Sequence, residues 1–294
     1  MFVLNFTDTS DIILFNDLFR GIVMLQLYWS IAAIIDFLIV YKFNLVDSVW
    51  DFWIPVLMHV GILALMCGIH FVFIVLYSLV VDRNKEVKNI HNSHRAILLY
   101  TLKLYFQLAQ VRIRATGVDK VPDDGKFLFV GNHISSYDPM IALWTLRKKN
   151  LAFVSKKENL YIKFGGKYIH KAGCIGLDRE NNREAVKTIN EAARRITDGV
   201  SAMGIYPEGW VNKTGEGLLT FRNGAFKIAK KAKVPIVIGV INNTREIDKN
   251  RFRRGTEIRF NIIEVIPYET IADLKTSEIS EMVREKIYNA LEKK

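Results

Sequence analysis

Residues Phe127–Pro139 read FLFVGNHISSYDP. A short, wholly apolar run is followed by a glycine, a polar turn, and an aspartate directly before a proline. The apolar run predicts a strand buried on both faces. Asp138 before Pro139 predicts a helix start, with the carboxylate as N-cap and the proline in the first turn, where its missing N–H costs nothing. Strand, turn and helix in this order make the first half of a parallel crossover unit.

The same alternation continues outward. Apolar runs at Leu151–Ser155, Cys174–Asp178, Ala202–Tyr206, Pro235–Ile241 and Glu257–Val265 predict further strands. Helical spacing is found at Pro139–Arg147, Asn182–Thr197, Arg222–Ala232 and Ser277–Leu291. The expected fold class is therefore α/β, a mostly parallel sheet covered by helices. Upstream, apolar residues recur at three and four between Glu86 and Gln110, which predicts an amphipathic helix that packs on the sheet domain or lies on lipid headgroups.

The N-terminal third is different. Gly21–Tyr41 is a hydrophobic run with Gln26 and Asp36 inside it, and Ile54–Val81 has no Asp, Glu, Lys or Arg. At ~1.5 Å per residue the second run is long enough to cross a hydrocarbon core of ~30 Å. Trp50, Trp53 and Tyr77 stand near its ends, as interfacial aromatics do. Asp36 is expensive in lipid, which leaves spanning and interfacial placements open for the first run. A cleavable leader is not expected, because Asp8, Asp11 and Asp17 precede a late apolar run with no small-residue cleavage site. His59 and His70 share a helix face and read as helix-packing residues. The expected organisation is membrane-anchoring helices over 1–82, a connecting amphipathic helix over 83–116, and a catalytic domain over 117–294.

Charge follows this division. The chain has 41 basic and 30 acidic residues, net +11. Only Arg20 and Lys42, against seven acids, fall in the first 82 residues, so the remainder nets +16. A basic body suits an acidic partner, and the apolar N-terminal third favours anionic lipid over nucleic acid. Arg83, Lys85 and Lys88 directly after the second apolar run place the rest of the chain on the cytoplasmic face by the positive-inside rule. Two cysteines, Cys67 and Cys174, imply no disulfide framework, and no metal-ligand spacing is present.

The chemistry-bearing residues gather at strand ends, where ligand sites form in open α/β sheets. His133 and Asp138 follow the first strand, and the turn can fold the imidazole back beside the carboxylate. A carboxylate on one ring nitrogen fixes the tautomer and leaves the other nitrogen as a base. On spacing alone, a surface histidine beside a helix cap is the simpler reading. Tyr206-Pro207-Glu208-Gly209 closes another apolar run, Gly173-Cys174-Ile175-Gly176-Leu177-Asp178-Arg179 lies between, and Val234-Pro235-Ile236-Val237 follows.

Asn-His-x4-Asp, Gly-x-Ile-x-x-Asp-Arg, Pro-Glu-Gly and Val-Pro-Ile-Val, in this order, resemble the glycerophosphate and lysophosphatidic acid acyltransferase family over about residues 117–266. The resemblance implies His133 as general base, Asp138 as its orienting partner, and Glu208 and Gly209 shaping the acceptor pocket. It further implies Asn132 as a substrate contact beside the base, Arg179 on phosphate, and Lys156 (or its neighbour Lys157) on the oxyanion. Two departures bear on the acceptor. Trp210 and Val211 stand where the family has Thr-Arg, so Lys213 or Arg222 is expected to take the phosphate contact, and Gly176 replaces an aromatic.

The implied activity transfers a fatty acyl group from acyl-CoA or acyl carrier protein to a lysophospholipid hydroxyl, foremost 1-acylglycerol 3-phosphate. No cofactor or metal is expected beyond that thioester co-substrate. Another lysophospholipid or a lyso-glycolipid as acceptor, and a membrane lipid hydrolase using the same His–Asp pair, are the alternatives. The expected partners are membrane lipid and the acyl carrier, with no nucleic acid.

Overall fold

The structure, a computed structural model, describes residues 27–83, 87, 90, 92–163, 165–214, 217–251 and 253–292. The chain divides into two compact units, Met1–Val81 and Asp82–Lys294.

In the described part of the first unit, residues 27–43 form helix α1 and Trp53–Leu79 form α2, preceded by a 3-10 turn over Val49–Phe52. Ser48 caps that turn: its side chain accepts from Trp50 N–H while Asp51 accepts from Ser48 N–H at 2.8 Å. Val49–Leu79 is one continuous stretch long and apolar enough to cross a membrane, with mean hydropathy 2.4. The start of the first apolar run, residues 21–26, lies outside the described residues. Asp36, the costly residue of that run, is buried against α2, where its carboxylate meets His59 Nδ1 at 2.5 Å. Tyr28 Oη and His70 Nδ1 form a second polar contact at 3.2 Å. Both histidines thus pack α2 on α1.

The second unit is built on a seven-stranded sheet in the order β1-β7-β6-β2-β5-β3-β4. The strands are β1 (Val111–Thr116), β2 (Leu128–Gly131), β3 (Leu151–Lys156), β4 (Ile175–Leu177), β5 (Ala202–Ile205), β6 (Ile236–Asn242) and β7 (Thr256–Ile266). Pairs within β4-β3-β5-β2-β6 are parallel, as is β1 with β7, whereas β6 and β7 are antiparallel. Five strands therefore end at one edge, and β7 and β1 run the other way. Every residue of β2 and β5 is buried, as their unbroken apolar composition requires. Phe127, Phe129, Phe226 and Phe260 are among the largest fully buried side chains.

The helices are α3 (Asn92–Leu108), α4 (Asp138–Thr145), α5 (Gly165–Lys171), α6 (Asn182–Thr197), α7 (Lys227–Ala232), α8 (Glu246–Asn250), α9 (Tyr268–Ile271) and α10 (Thr276–Glu292). Helix α6 has the bounds its pattern predicts: Asn181 caps it by accepting from Arg183 and Glu184 N–H, and Ile189, Ala192, Ala193 and Ile196 form the buried stripe. Three differences from the sequence reading stand out. The amphipathic helix starts at Asn92 rather than Glu86, since Val87 and Ile90 are described as non-helical, and residues 84–86, 88–89 and 91 lie outside the described set. Strand β1 was not expected, because Arg112 and Arg114 alternate along an edge strand whose partner lies far away in the chain. Asp138 is the first residue of α4, not its cap, and its carboxylate is turned back to the preceding turn.

Candidate active site

The turns that follow β2, β3, β4, β5 and β6 all leave the sheet at the same edge, which brings five distant stretches of chain together. From β2 comes His133. Its Nδ1 lies 3.0 Å from Asp138 Oδ2. That oxygen also accepts the N–H groups of Ile134 and Ser135, each at 2.7 Å, and Asp138 Oδ1 accepts Thr244 Oγ1–H at 2.5 Å. Asp138 is fully buried, so all of these donors come from protein. An oxygen already receiving two N–H groups accepts from the ring, which puts the imidazole proton on Nδ1 and leaves the Nε2 lone pair for a proton acceptor role. The ring lies face to face with Tyr206 at 4.4 Å, and Tyr206 in turn stacks on Phe153 at 5.4 Å. Burial, with the nearby Asp138 carboxylate, pushes the Tyr206 phenol well up, so it stays neutral.

Two further side chains hold the turn in place. Glu208 is buried, and its carboxylate accepts from His133 N–H at 2.7 Å and from Leu219 N–H at 3.0 Å. Burial raises its pKa, an effect these two N–H groups oppose. Asn132 donates to Ile241 O at 2.9 Å and accepts from Ile241 N–H at 2.8 Å. Its amide is spent on the β6 backbone. This corrects the expectation of Asn132 as a substrate contact: it is a clamp between β2 and β6, because a buried amide is most stable with both its halves paired.

His133 opens into a cleft of about 360 Å³ whose lining includes Phe153, Lys156, Arg179, Tyr206, Gly209, Trp210, Val211 and Lys213. Lys156 lines this cleft, while Lys157 turns away to Asp178 at 3.7 Å, which separates the two neighbouring lysines. Arg179 stacks over the Trp210 ring at 4.7 Å. Burial and then the Arg222 charge lower the Arg179 pKa, so two guanidiniums share this side of the cleft. Arg222 packs against Gly209: a Cβ on Gly209 would lie 2.8 Å from Arg222 Nε, and the residue has φ +75°, so glycine is required twice over. The structure thus gathers His133, Asp138, Glu208, Lys156, Arg179, Gly209, Lys213 and Arg222 at one edge.

Sequence reasoning missed Thr244, whose position after β6 carries no motif. It also missed Asn212, buried beside the site, whose N–H donates to His133 O at 2.7 Å. The stacking role of Tyr206 had a signal, since it directly precedes Pro-Glu-Gly. Among the described residues no group of three or more His, Cys, Asp or Glu is arranged to hold a metal ion.

A parallel sheet carries this histidine–carboxylate pair and its neighbouring cations at the carboxyl edge, and residues 112–241, a little under half of the chain, match the Acyltransferase family model. The chain is 35% identical over 144 residues to 1-acyl-sn-glycerol-3-phosphate acyltransferase of Haemophilus influenzae, covering 47% of this chain and 59% of that protein. It is 30% identical over 169 residues to the protein of the same name from Saccharomyces cerevisiae, covering 56% of this chain and 55% of that one. The matches thus span less than two thirds of these relatives' lengths. The crystal structure of the 1-acyl-sn-glycerophosphate acyltransferase PlsC from Thermotoga maritima superposes with TM-score 0.55 at 22% identity, covering 76% of this chain and 88% of that one, a likeness of fold.

Proposed function

We propose that this chain is a membrane-bound O-acyltransferase that moves a fatty acyl group from acyl-CoA or acyl carrier protein to the hydroxyl of 1-acylglycerol 3-phosphate. The observation that carries this reading is the His133–Asp138 pair at the mouth of a cleft rimmed by Lys156, Arg179 and Lys213. His133 Nε2 takes the acceptor's hydroxyl proton as the oxygen attacks the thioester carbonyl. Lys156 faces the oxyanion that develops, and backbone amides at the strand ends add donors. The carbon–sulfur bond then breaks, and the imidazolium returns its proton to the leaving thiolate. Asp138 stabilises the imidazolium in between. Glu208 acts through the backbone it holds. Arg179, with Arg222 behind Gly209, supplies the guanidiniums a phosphate headgroup needs.

Residues Val49–Leu79 anchor the chain, with the catalytic unit on the cytoplasmic face. Val211 at the place of the family's arginine, and Trp210 stacked on Arg179, favour as second reading another lysophospholipid or a lyso-glycolipid acceptor. Purified full-length protein incubated with a panel of lysolipids and both donors, with products identified by mass, distinguishes these acceptors. Product that is free fatty acid at the same rate with and without acceptor would establish a hydrolase instead. His133→Ala should lower turnover by about 10²–10⁴ with an unchanged unfolding midpoint.

A further inference from the structure

The catalytic unit leaves few large apolar side chains in the open. Among its described residues only Leu108, Tyr161, Ile162, Val186, Trp210 and Tyr288 stand exposed. Three of them lie on loops that leave the same edge of the sheet. Tyr161 and Ile162 belong to the loop after β3, and Trp210 to the turn after β5, which is β3's neighbour in the sheet. Both loops leave the carboxyl edge, and Asn159 of the first lines the same cleft as Trp210 and His133. Tyr161 is 60% exposed, Ile162 53% and Trp210 52%. A tyrosine, an isoleucine and a tryptophan held in water at the edge that bears the cleft are costly unless something covers them.

Charge says what covers them. Both aromatics on these loops carry a guanidinium on the face: Arg83 lies 5.5 Å from the Tyr161 ring centre, and Arg179 lies 4.7 Å from that of Trp210. Arg83 also donates to Ile162 O at 3.3 Å. Lys156 ends β3 and Lys157 and Lys163 follow in the loop, against the acids Glu158 and Asp178, which leaves the patch net positive. Aromatic rings backed by cations are the composition of a surface at the boundary of anionic headgroups and acyl chains. Chain length agrees. Arg83 comes four residues after Leu79, the last residue of α2, and four residues reach at most ~14 Å. A bilayer that takes α2 therefore has Arg83, and the two residues it holds, within reach of its surface.

We infer that Tyr161, Ile162 and Trp210 form an insertion edge that seats the cleft mouth on an anionic bilayer, as a second membrane contact separate from the apolar helices. The edge places the cleft where a lysolipid's headgroup and hydroxyl emerge, so the acceptor need not leave the bilayer fully. The inference rests on the membrane placement proposed above and not on the identity of acceptor or donor.

The test uses the full chain in nanodiscs, with Cys67→Ser to remove the exposed thiol; Cys174 is buried. A bimane probe is placed at Ile162→Cys or, as control, at Lys148→Cys, which is exposed in the turn before β3 at the opposite edge of the sheet. Lipids with spin-labelled acyl chains should quench the probe at 162 far more than at 148, and more strongly when phosphatidylglycerol is included. Equal quenching at the two positions overturns the inference. A chain that fails to enter nanodiscs overturns the membrane placement and the insertion edge with it. A second measurement needs activity. Tyr161→Ser with Ile162→Ser should lower turnover of bilayer-embedded lysolipid by about tenfold, through lost burial of two apolar side chains, while leaving a short-chain, water-soluble lysolipid unaffected. Equal loss on both acceptors would mean the loop acts on the site itself. Absence of activity in the unmodified protein would sink the proposed reaction and leave the quenching result to decide the insertion edge.

Discussion

If the proposed mechanism holds, Asp138→Asn is expected to lower turnover far less than the loss of His133. The reason lies in what surrounds each carboxylate oxygen. Oδ2 accepts from the His133 ring and from the N–H groups of Ile134 and Ser135, while Oδ1 faces only the Thr244 hydroxyl. An asparagine can place its oxygen at the Oδ2 position and its NH2 toward Thr244, whose hydroxyl turns from donor to acceptor. The opposite orientation would point the NH2 at two backbone N–H groups, so the first prevails and His133 keeps its proton on Nδ1. What is lost is charge. An imidazolium 3.0 Å from a carboxylate is favoured by roughly 5 kcal/mol at an effective dielectric of about 20. A neutral amide oxygen keeps the hydrogen bond and about half of that energy, so the transition state rises by about 2–3 kcal/mol, or roughly 30- to 150-fold in kcat. Asp138→Ala removes all the contacts, leaves two buried N–H groups without their acceptor and frees the ring to choose either tautomer; about a thousandfold loss or more is expected. Product formation by mass gives the rates, and nitrogen-15 shifts of the labelled ring, assigned with His133→Ala, give the tautomer. Asp138→Asn as inactive as His133→Ala, with the proton moved to Nε2, would refute the argument that the backbone donors orient the amide.

Three other outcomes follow from the packing. Glu208 has its pKa raised mainly by burial, so its protonated form favours the fold at pH below the unfolded value of about 4.3, and that contribution is lost as pH rises through the folded value. The stability of the wild type relative to Glu208→Gln should therefore decline as pH rises through that window and level off above it; denaturant midpoints that rise across it would contradict the burial of this carboxyl. Gly239→Ala should cost about 1–3 kcal/mol, because the new Cβ would lie 2.5 and 2.7 Å from atoms of the fully buried Phe129 ring; a calorimetric midpoint equal to wild type would count against this packing. In the first unit, Asp36→Leu and His59→Leu should each destabilise the helix pair more than the double replacement does, since a lone buried polar group is worse than none. Unfolding in mixed micelles measures this, and additive single effects would show that the two side chains do not interact.

The strand and helix alternation, the reach of α6 and the long apolar helix are readable along the chain because each rests on a local period that burial imposes on neighbouring residues. The His133–Asp138 pair belongs with these, five residues apart in one turn. Strand β1 does not: Val111, Ile113 and Ala115 alternate with Arg112 and Arg114 at a strand's period of two, but over six residues only, and its partner β7 lies far away in the chain. Which neighbouring lysine enters the cleft was equally undecidable from spacing, since it depends on where β3 ends relative to Asp178 after β4.

Sequence by itself thus determined most of the elements and put His133 and Asp138 into one turn, because both are short-range consequences of composition and spacing. Tertiary structure alone decided that Asn132 clamps β6, that Glu208 holds the His133 backbone from 75 residues away, and that Thr244 reaches Asp138 across 106 residues. Those contacts exist because five parallel strands end at one edge, and no local period records which distant turns a sheet will bring together.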